Sequence, residues 1–225
     1  MQSDAQSPLL FRAAGALYFV IIMTGLTGEL ALRGSLTGAS ADATAAALAT
    51  GETLLRASVL ADAVMISADV ALAVLLFVIL APAGRLLATL AAAFRLIQAA
   101  ILGAGLTTLF SVLVWSGAGQ PEMAHGALAL HAAGYDLGLI FFGISSILTG
   151  LLLTRHRMFP TWLGAMVALA GVVYLIGSTL RVMSPDAYAI FQPAYLLAVI
   201  AETAFAATLL VRGVNRRRRS VEFAA

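Results

Sequence analysis

Six long apolar stretches decide what this chain can fold into. A helix rises about 1.5 Å per residue, so about 20 apolar residues cross a hydrocarbon layer roughly 30 Å thick. Every stretch is long enough, and the second and third exceed that length, so they tilt or project from the bilayer. The sequence predicts an all-α fold, one membrane domain over residues 1–225 with transmembrane helices at 12–33, 54–81, 86–115, 127–153, 161–183 and 190–212.

The composition excludes several classes of protein. The chain is 61% hydrophobic and 11% charged, whereas a soluble domain is about a quarter charged. It has no cysteine, so disulfides, iron–sulfur clusters, thiolate zinc sites and cysteine nucleophiles are excluded. All thirteen basic residues are arginine, which excludes a lysine Schiff base to retinal or pyridoxal phosphate. We expect no cofactor.

The arginines between the spans indicate an orientation. The connections at 116–126 and 184–189 contain none, and the positive-inside rule then places both termini in the cytoplasm. Residues 1–11 become a cytoplasmic segment and residues 213–225 an Arg-rich cytoplasmic tail. Because the arginines of the tail directly follow the sixth span, we interpret them as a topology anchor and expect no nucleic-acid partner. The arginines on the cytoplasmic side are Arg12, Arg85, Arg155, Arg157, Arg212 and those of residues 216–219.

Residues 34–53 are predicted to form an external loop between the first two spans. The segment is rich in Ala, Thr and Ser, and Ser40 or Asp42 could cap a short helix within it. Two roles are open for this loop: a lid on the outer surface, or an ordered connection without function.

Ionisable residues lie inside the predicted spans, where a bilayer disfavours them. Such groups pair with one another, face a cavity or take part in function, because isolated charges are costly in hydrocarbon. They are therefore the best pointer to a site. The set comprises the carboxylates Glu29, Asp62, Asp69, Asp136 and Glu202, together with Arg56, Arg95, Arg181 and His131.

Depth in the membrane suggests how these groups are arranged. Asp69 and Arg95 lie at similar depth, and we interpret them as a structural ion pair. Most of the others gather in the outer half, whereas the cytoplasmic half is almost wholly apolar, which argues against an open channel. The sequence predicts a polar cavity that opens outward, with Asp69, Arg95, Gln98 and Glu202 at its floor. The expected ligand-binding residues are Asp62, His131, Tyr135, Asp136, Arg181 and Glu202.

Glu202 differs from the other buried acids in its partners. Arg95 is the only arginine near its depth, and Arg95 is already assigned to Asp69. A buried carboxyl without a cation is expected to stay protonated, or to bind a cation or a basic ligand.

The alternative hypothesis for the same residues is catalysis. His131 and Asp136 would then be the acid–base pair of an intramembrane enzyme acting on a lipid or prenyl substrate. His131 with Asp62 and Asp136 could also supply three zinc ligands, but their spacing matches no known zinc motif, so we expect no metal. A haem held between helices would need a second intramembrane histidine, and the sequence offers none.

Several blocks resemble a family of bacterial membrane proteins catalogued as domain of unknown function 4386. They cover nearly the whole chain, at 15–33, 54–80, 92–103, 131–143 and 163–178, and the most specific are Arg95-Leu96-Ile97-Gln98 and Tyr135-Asp136-Leu137-Gly138. The resemblance implies a multi-pass protein of the bacterial inner membrane. It implies no activity, substrate or catalytic residue.

The sequence leaves three hypotheses for the function of the protein. The preferred one is a small permease or ligand-binding membrane protein with an outward-facing polar pocket. The alternatives are the intramembrane enzyme and an accessory or scaffold protein whose buried charges are structural pairs. The expected partners are the lipid bilayer and an unknown small molecule or lipid, and a homo-oligomer is left open.

Overall fold

The computed structural model describes residues 7–222, with side chains described through residue 212. Within these residues the chain is helical and contains no strand. Residues 1–6 and the side chains of the Arg-rich tail, both part of the predicted cytoplasmic segments, lie outside the described part. The helices are α1 (Pro8–Leu26, continued by a π-helical turn at Thr27–Arg33), α2 (Ala41–Leu80), α3 (Arg85–Gly117), α4 (Pro121–Arg155), α5 (Thr161–Met183), α6 (Pro185–Phe191) and α7 (Tyr195–Glu222).

Within the described residues, six segments are long and apolar enough to cross a membrane, which confirms the predicted all-α bundle of six spanning helices. α6 and α7 form the last of them together, joined by the 3₁₀ turn Gln192–Ala194. The six segments are Pro8–Arg33, Ala41–Ala83, Arg85–Gly117, Pro121–Arg155, Thr161–Met183 and Pro185–Arg212.

The start of α2 differs from the predicted loop. Ser40 caps the helix by accepting a hydrogen bond from a first-turn amide at 3.2 Å. The Thr44 hydroxyl lies 2.9 Å from Nδ1 of His125 on α4, and Leu48 is buried in an apolar cluster with α3 and α4. The alanine-rich residues 41–53 therefore form the first turns of α2, and the expected loop was wrong for them. High helix propensity and a packing partner for the apolar face explain the difference.

The spanning helices form a closed ring. α2 packs on α3, α3 on α4, α4 on α5, α5 on α7, and α7 on α1, which packs in turn on α2. α4 and α5 touch through their backbones, because a Cβ placed on Gly150 would lie 2.5 Å from the carbonyl oxygen of Gly164. Such close approach is what small residues allow between membrane helices. A ring of this kind encloses a central space.

One end of the ring is filled with apolar side chains. The beginning of α1, the end of α2 and the end of α7 meet there, and Phe11, Leu76, Ile79 and Phe205 are buried in a single cluster. This is the end that carries the predicted cytoplasmic connections. The packing leaves the central space closed on that side.

Candidate functional site

A cavity of about 250 Å³ occupies the centre of the ring. All six spanning segments contribute to its wall, so it belongs to the bundle as a whole. Most of the wall is apolar, with Ile22, Leu26, Met65, Leu102 and Leu139 among the lining residues. The polar lining is confined to a few groups, which are Glu29, Asp69, Gln98, Tyr135, Tyr174, Tyr195 and Glu202.

Asp69 forms the ion pair with Arg95 that their shared depth predicts. The Arg95 Nε donates to Asp69 Oδ1 at 2.7 Å, and both side chains are about 4% exposed. The Arg95 guanidinium also lies over the rings of Tyr18 and Phe142, at 5.1 and 4.8 Å from their centroids. With its amide oriented to donate, Gln98 places its nitrogen 2.7 Å from Asp69 Oδ2. Asp69 therefore has a partner for each carboxylate oxygen.

Glu202 lies on another part of the same wall and has fewer partners. Its Oε1 accepts a hydrogen bond from the Tyr174 hydroxyl at 2.7 Å. Among the described side chains, no other hydrogen bond and no ion pair reaches this carboxyl. Aromatic rings surround its partner: Tyr174 makes edge-to-face contacts with Phe142 and Tyr195, at centroid distances of 5.2 and 5.6 Å.

Arg33 connects two acids at the other end of the cavity. It lies in the π-helical turn that ends the first span, a departure from regular helix often found at functional sites. Its Nη2 donates to Glu29 Oε2 at 2.8 Å and its Nη1 to Asp62 Oδ2 at 2.7 Å. Glu29 is half exposed and lines the cavity, whereas Arg33 and Asp62 are buried. Arg33 thus links the cavity wall to a charge network behind it.

His131 belongs to that network. Its Nδ1 lies 3.1 Å from the carbonyl oxygen of Gly105, which can only accept, so Nδ1 carries a proton. Its Nε2 lies 3.8 Å from Asp62 Oδ2. His131 is therefore oriented by the α3 backbone and directed at α2.

Asp136 faces the opposite side of α4 and pairs with Arg181. Arg181 Nε lies 2.8 Å from Asp136 Oδ2, and the guanidinium lies over the ring of Tyr188 at 5.3 Å. The His131–Asp136 acid–base pair is thus not assembled, because each residue has partners on different helices. The three zinc ligands considered above are likewise divided between two networks, and no group of three His, Asp or Glu side chains among residues 7–212 could hold a metal ion.

The predicted binding residues separate into two groups. Tyr135 and Glu202 line the cavity, whereas Asp62, His131, Asp136 and Arg181 are not among its lining residues, and the Arg181 side chain is 38% exposed. Arg56, predicted to be buried, is an exposed residue that pairs with Glu52 at 2.6 Å. Its side chain is 61% exposed, because it projects from a face of α2 that the rest of the described chain does not cover.

Several cavity residues were not among the predicted binding residues. Tyr174 and Tyr195 are the most informative, because Tyr174 donates to the Glu202 carboxyl and Tyr195 packs on the Tyr174 ring. A signal for Tyr195 was present, since it lies seven residues before Glu202 and therefore on the same helical face. Tyr174 had no such signal, because it reaches Glu202 from another helix.

Comparison with known proteins agrees with the family resemblance. The model of the family described as "Domain of unknown function (DUF4386)" matches residues 13–213. A relative described as an uncharacterized protein of Archaeoglobus fulgidus is 32% identical over 145 residues, which cover 64% of this chain and 76% of the relative. No solved structure matches. The chain belongs to the DUF4386 family.

Proposed function

We propose that this DUF4386 member is a small permease or ligand-binding membrane protein that holds an amphipathic molecule in the central cavity. The observation that carries the proposal is the cavity itself, an apolar space of about 250 Å³ with a few polar groups on its wall. Small-molecule sites are commonly of this kind, at about 300–1,000 Å³ with predominantly apolar linings and few directing polar groups. At about 250 Å³, this cavity lies just below that range.

The lining favours a compact molecule with a large apolar part. Leu26, Met65, Leu102 and Leu139 supply apolar surface from four different segments. Tyrosine hydroxyls and carboxyls supply directed contacts at a small number of points. A fully hydrated ion would lose its water against the apolar wall without replacement, so a lipid-like or aromatic molecule suits the site better.

We place the opening of the cavity on the outer side of a bacterial inner membrane. Half-exposed Glu29 lines one end of the cavity, and the apolar cluster around Phe11 and Phe205 fills the opposite end of the ring. The arginine distribution favours cytoplasmic termini, which would put the apolar cluster on the cytoplasmic side.

Transport would require a second arrangement of the helices, and two irregular turns border the cavity. The π-helical turn Thr27–Arg33 contains Glu29, and the 3₁₀ turn Gln192–Ala194 directly precedes Tyr195. Breaks in regular helix often mark hinges, and broken spans are a recurring feature of transporters. Movement at these turns would open or narrow the cavity by shifting the population of its states.

The proposal is tested by filling the cavity. Leu139→Trp adds an indole to the cavity wall, and Leu137→Trp makes the same substitution at an exposed position of α4. Native mass spectrometry of the three detergent-purified proteins would measure co-purified small molecules. We expect a bound species in the wild type and Leu137→Trp that is absent from Leu139→Trp. The same species in all three proteins, or none in any of them, would contradict the proposal.

A further inference from the structure

The acids of the cavity wall differ in how their charge is balanced. Glu29 pairs with Arg33, and Asp69 pairs with Arg95. Within the described residues, Glu202 is the acid of this wall that no arginine contacts, and its hydrogen bond comes from an uncharged tyrosine. Arg95 acts on Glu202 only through space, because its donors and its π contacts are directed elsewhere. The wall therefore carries a carboxyl without a cationic partner.

The surroundings of this carboxyl are aromatic. Phe142, Tyr174 and Tyr195 all line the cavity, and the rings of Phe142 and Tyr195 each pack edge to face on Tyr174, which donates to Glu202. Aromatic faces attract cations within about 6 Å of the ring centroid, and the attraction is stronger where water is excluded. A carboxyl among aromatic rings is a chemistry that recognises ammonium groups, because the carboxylate supplies charge and the rings replace water.

Other charged ligands fit this part of the cavity less well. A metal ion such as Ca²⁺ or Mg²⁺ takes about six or more oxygen ligands, and the wall near Glu202 is mainly carbon. An anion would need a cation, but Arg95 is held against Asp69 and two aromatic rings. A proton on Glu202 would also balance the site, and the experiment below separates that case.

We infer that the cavity ligand is an organic cation, with an amine or quaternary ammonium group held by Glu202 beside Tyr174 and the aromatic rings that pack on Tyr174. This inference rests on the proposed function, because it specifies the ligand of the same cavity. The apolar part of the cation would lie along the wall formed by Met65, Leu102 and Leu139.

Two probes of equal shape and different charge test the inference. Benzyltrimethylammonium carries a positive nitrogen, and neopentylbenzene has a neutral carbon in its place. Isothermal titration calorimetry on the full chain in detergent, with empty micelles subtracted, would give the affinity for each. We expect the cation to bind at least about tenfold more tightly, because it adds charge pairing and cation–π contacts to the same apolar area.

Replacement of the Glu202 carboxyl by an amide provides the second part of the binding experiment. Glu202→Gln keeps the shape and an oxygen that accepts from Tyr174, but it removes the charge. It should weaken binding of the cation at least about tenfold and leave the neutral probe within about threefold. Glu52→Gln is the matched control, since Glu52 is an exposed acid paired with Arg56 and outside this cavity. It should leave both affinities unchanged.

The outcomes separate this inference from the proposed function. If both probes bind equally to the wild type and to Glu202→Gln, the cavity binds ligands but the inferred cation specificity is overturned, as expected for a protonated Glu202. If neither probe binds the wild type, both the cation inference and the proposed function are contradicted. A preference for the cation that disappears in Glu202→Gln and persists in Glu52→Gln supports the inference.

Discussion

Two regions of the cavity wall each contain a buried carboxyl, and the two carboxyls differ in their partners. On the Asp69 side, an arginine, an amide and two aromatic rings surround the charge pair, and both oxygens of the acid have partners. On the Glu202 side, one tyrosine hydroxyl donates to the acid, aromatic rings pack on that tyrosine, and Arg95 acts on the acid only through space. Burial alone therefore does not mark a functional acid. The unmatched charge on the Glu202 side is what distinguishes it.

The largest effect is expected on the Asp69 side. Asp69→Asn leaves the Arg95 guanidinium buried without a counterion, and loss of one partner of a buried pair costs about 3–5 kcal/mol. An unfolding titration in mixed micelles would measure the change. The double variant Asp69→Leu with Arg95→Met removes both charges and should recover most of the stability. If Asp69→Asn were as stable as the wild type, the structural role of this pair would be wrong.

A smaller loss is expected for Arg33→Gln. The substitution leaves Asp62 buried with only a long contact to His131, although half-exposed Glu29 can be solvated. The Asp62 carboxylate can take up a proton when its arginine is lost, whereas the Arg95 guanidinium cannot lose one, so we expect a smaller destabilisation of about 2 kcal/mol in the same titration. Asp62→Asn in the Arg33→Gln background should restore part of it, since the orphaned charge is removed. No recovery in the double variant would mean that Arg33 acts mainly through packing.

Glu202→Gln should change stability by less than about 1 kcal/mol, because the amide oxygen still accepts from Tyr174 and no buried cation loses a partner. This is the direct counterpart of Asp69→Asn, and the same unfolding measurement compares the two. A loss as large as that of Asp69→Asn would remove the distinction between the two regions and make Glu202 a structural residue.

The smallest effect is expected for Arg56→Gln. Arg56 and Glu52 are exposed and lie one turn apart on α2. Exposed pairs of this kind contribute about 0.2–1 kcal/mol, and salt screens them further. The unfolding free energy should change by less than about 1 kcal/mol, and the difference should shrink at high salt. A larger loss would indicate that Arg56 is buried against something beyond the single chain.

The Asp69–Arg95 contact could be predicted because it depends on the position of each residue within its own span. The distance of each residue from its span end sets its depth, and residues of similar depth on adjacent helices can meet. The same reasoning failed for His131 and Asp136. They are five residues apart, which turns them about 140° from each other on a regular helix, so they face different neighbours. Shared depth did not imply a shared face.

Arg33 shows a second reason for error. Its place four residues after Glu29 accounts for the contact between those two residues, which the structure confirms. The contact with Asp62 comes from another helix, and the sequence contains no sign of it. Arg56 was misjudged for a related reason, because the sequence does not show that its face of α2 stays uncovered.

The sequence by itself determined that six segments are long and apolar enough to span a membrane, that one half of the bundle is apolar, and which acids lie within those segments. These properties follow from the length, composition and residue order of each segment. The tertiary structure decided which acid meets which arginine, which tyrosine donates to Glu202, and where the cavity lies. These depend on how each helix is rotated and which neighbours it packs against, and small residues such as Gly150 and Gly164 set that packing through contacts between distant parts of the chain.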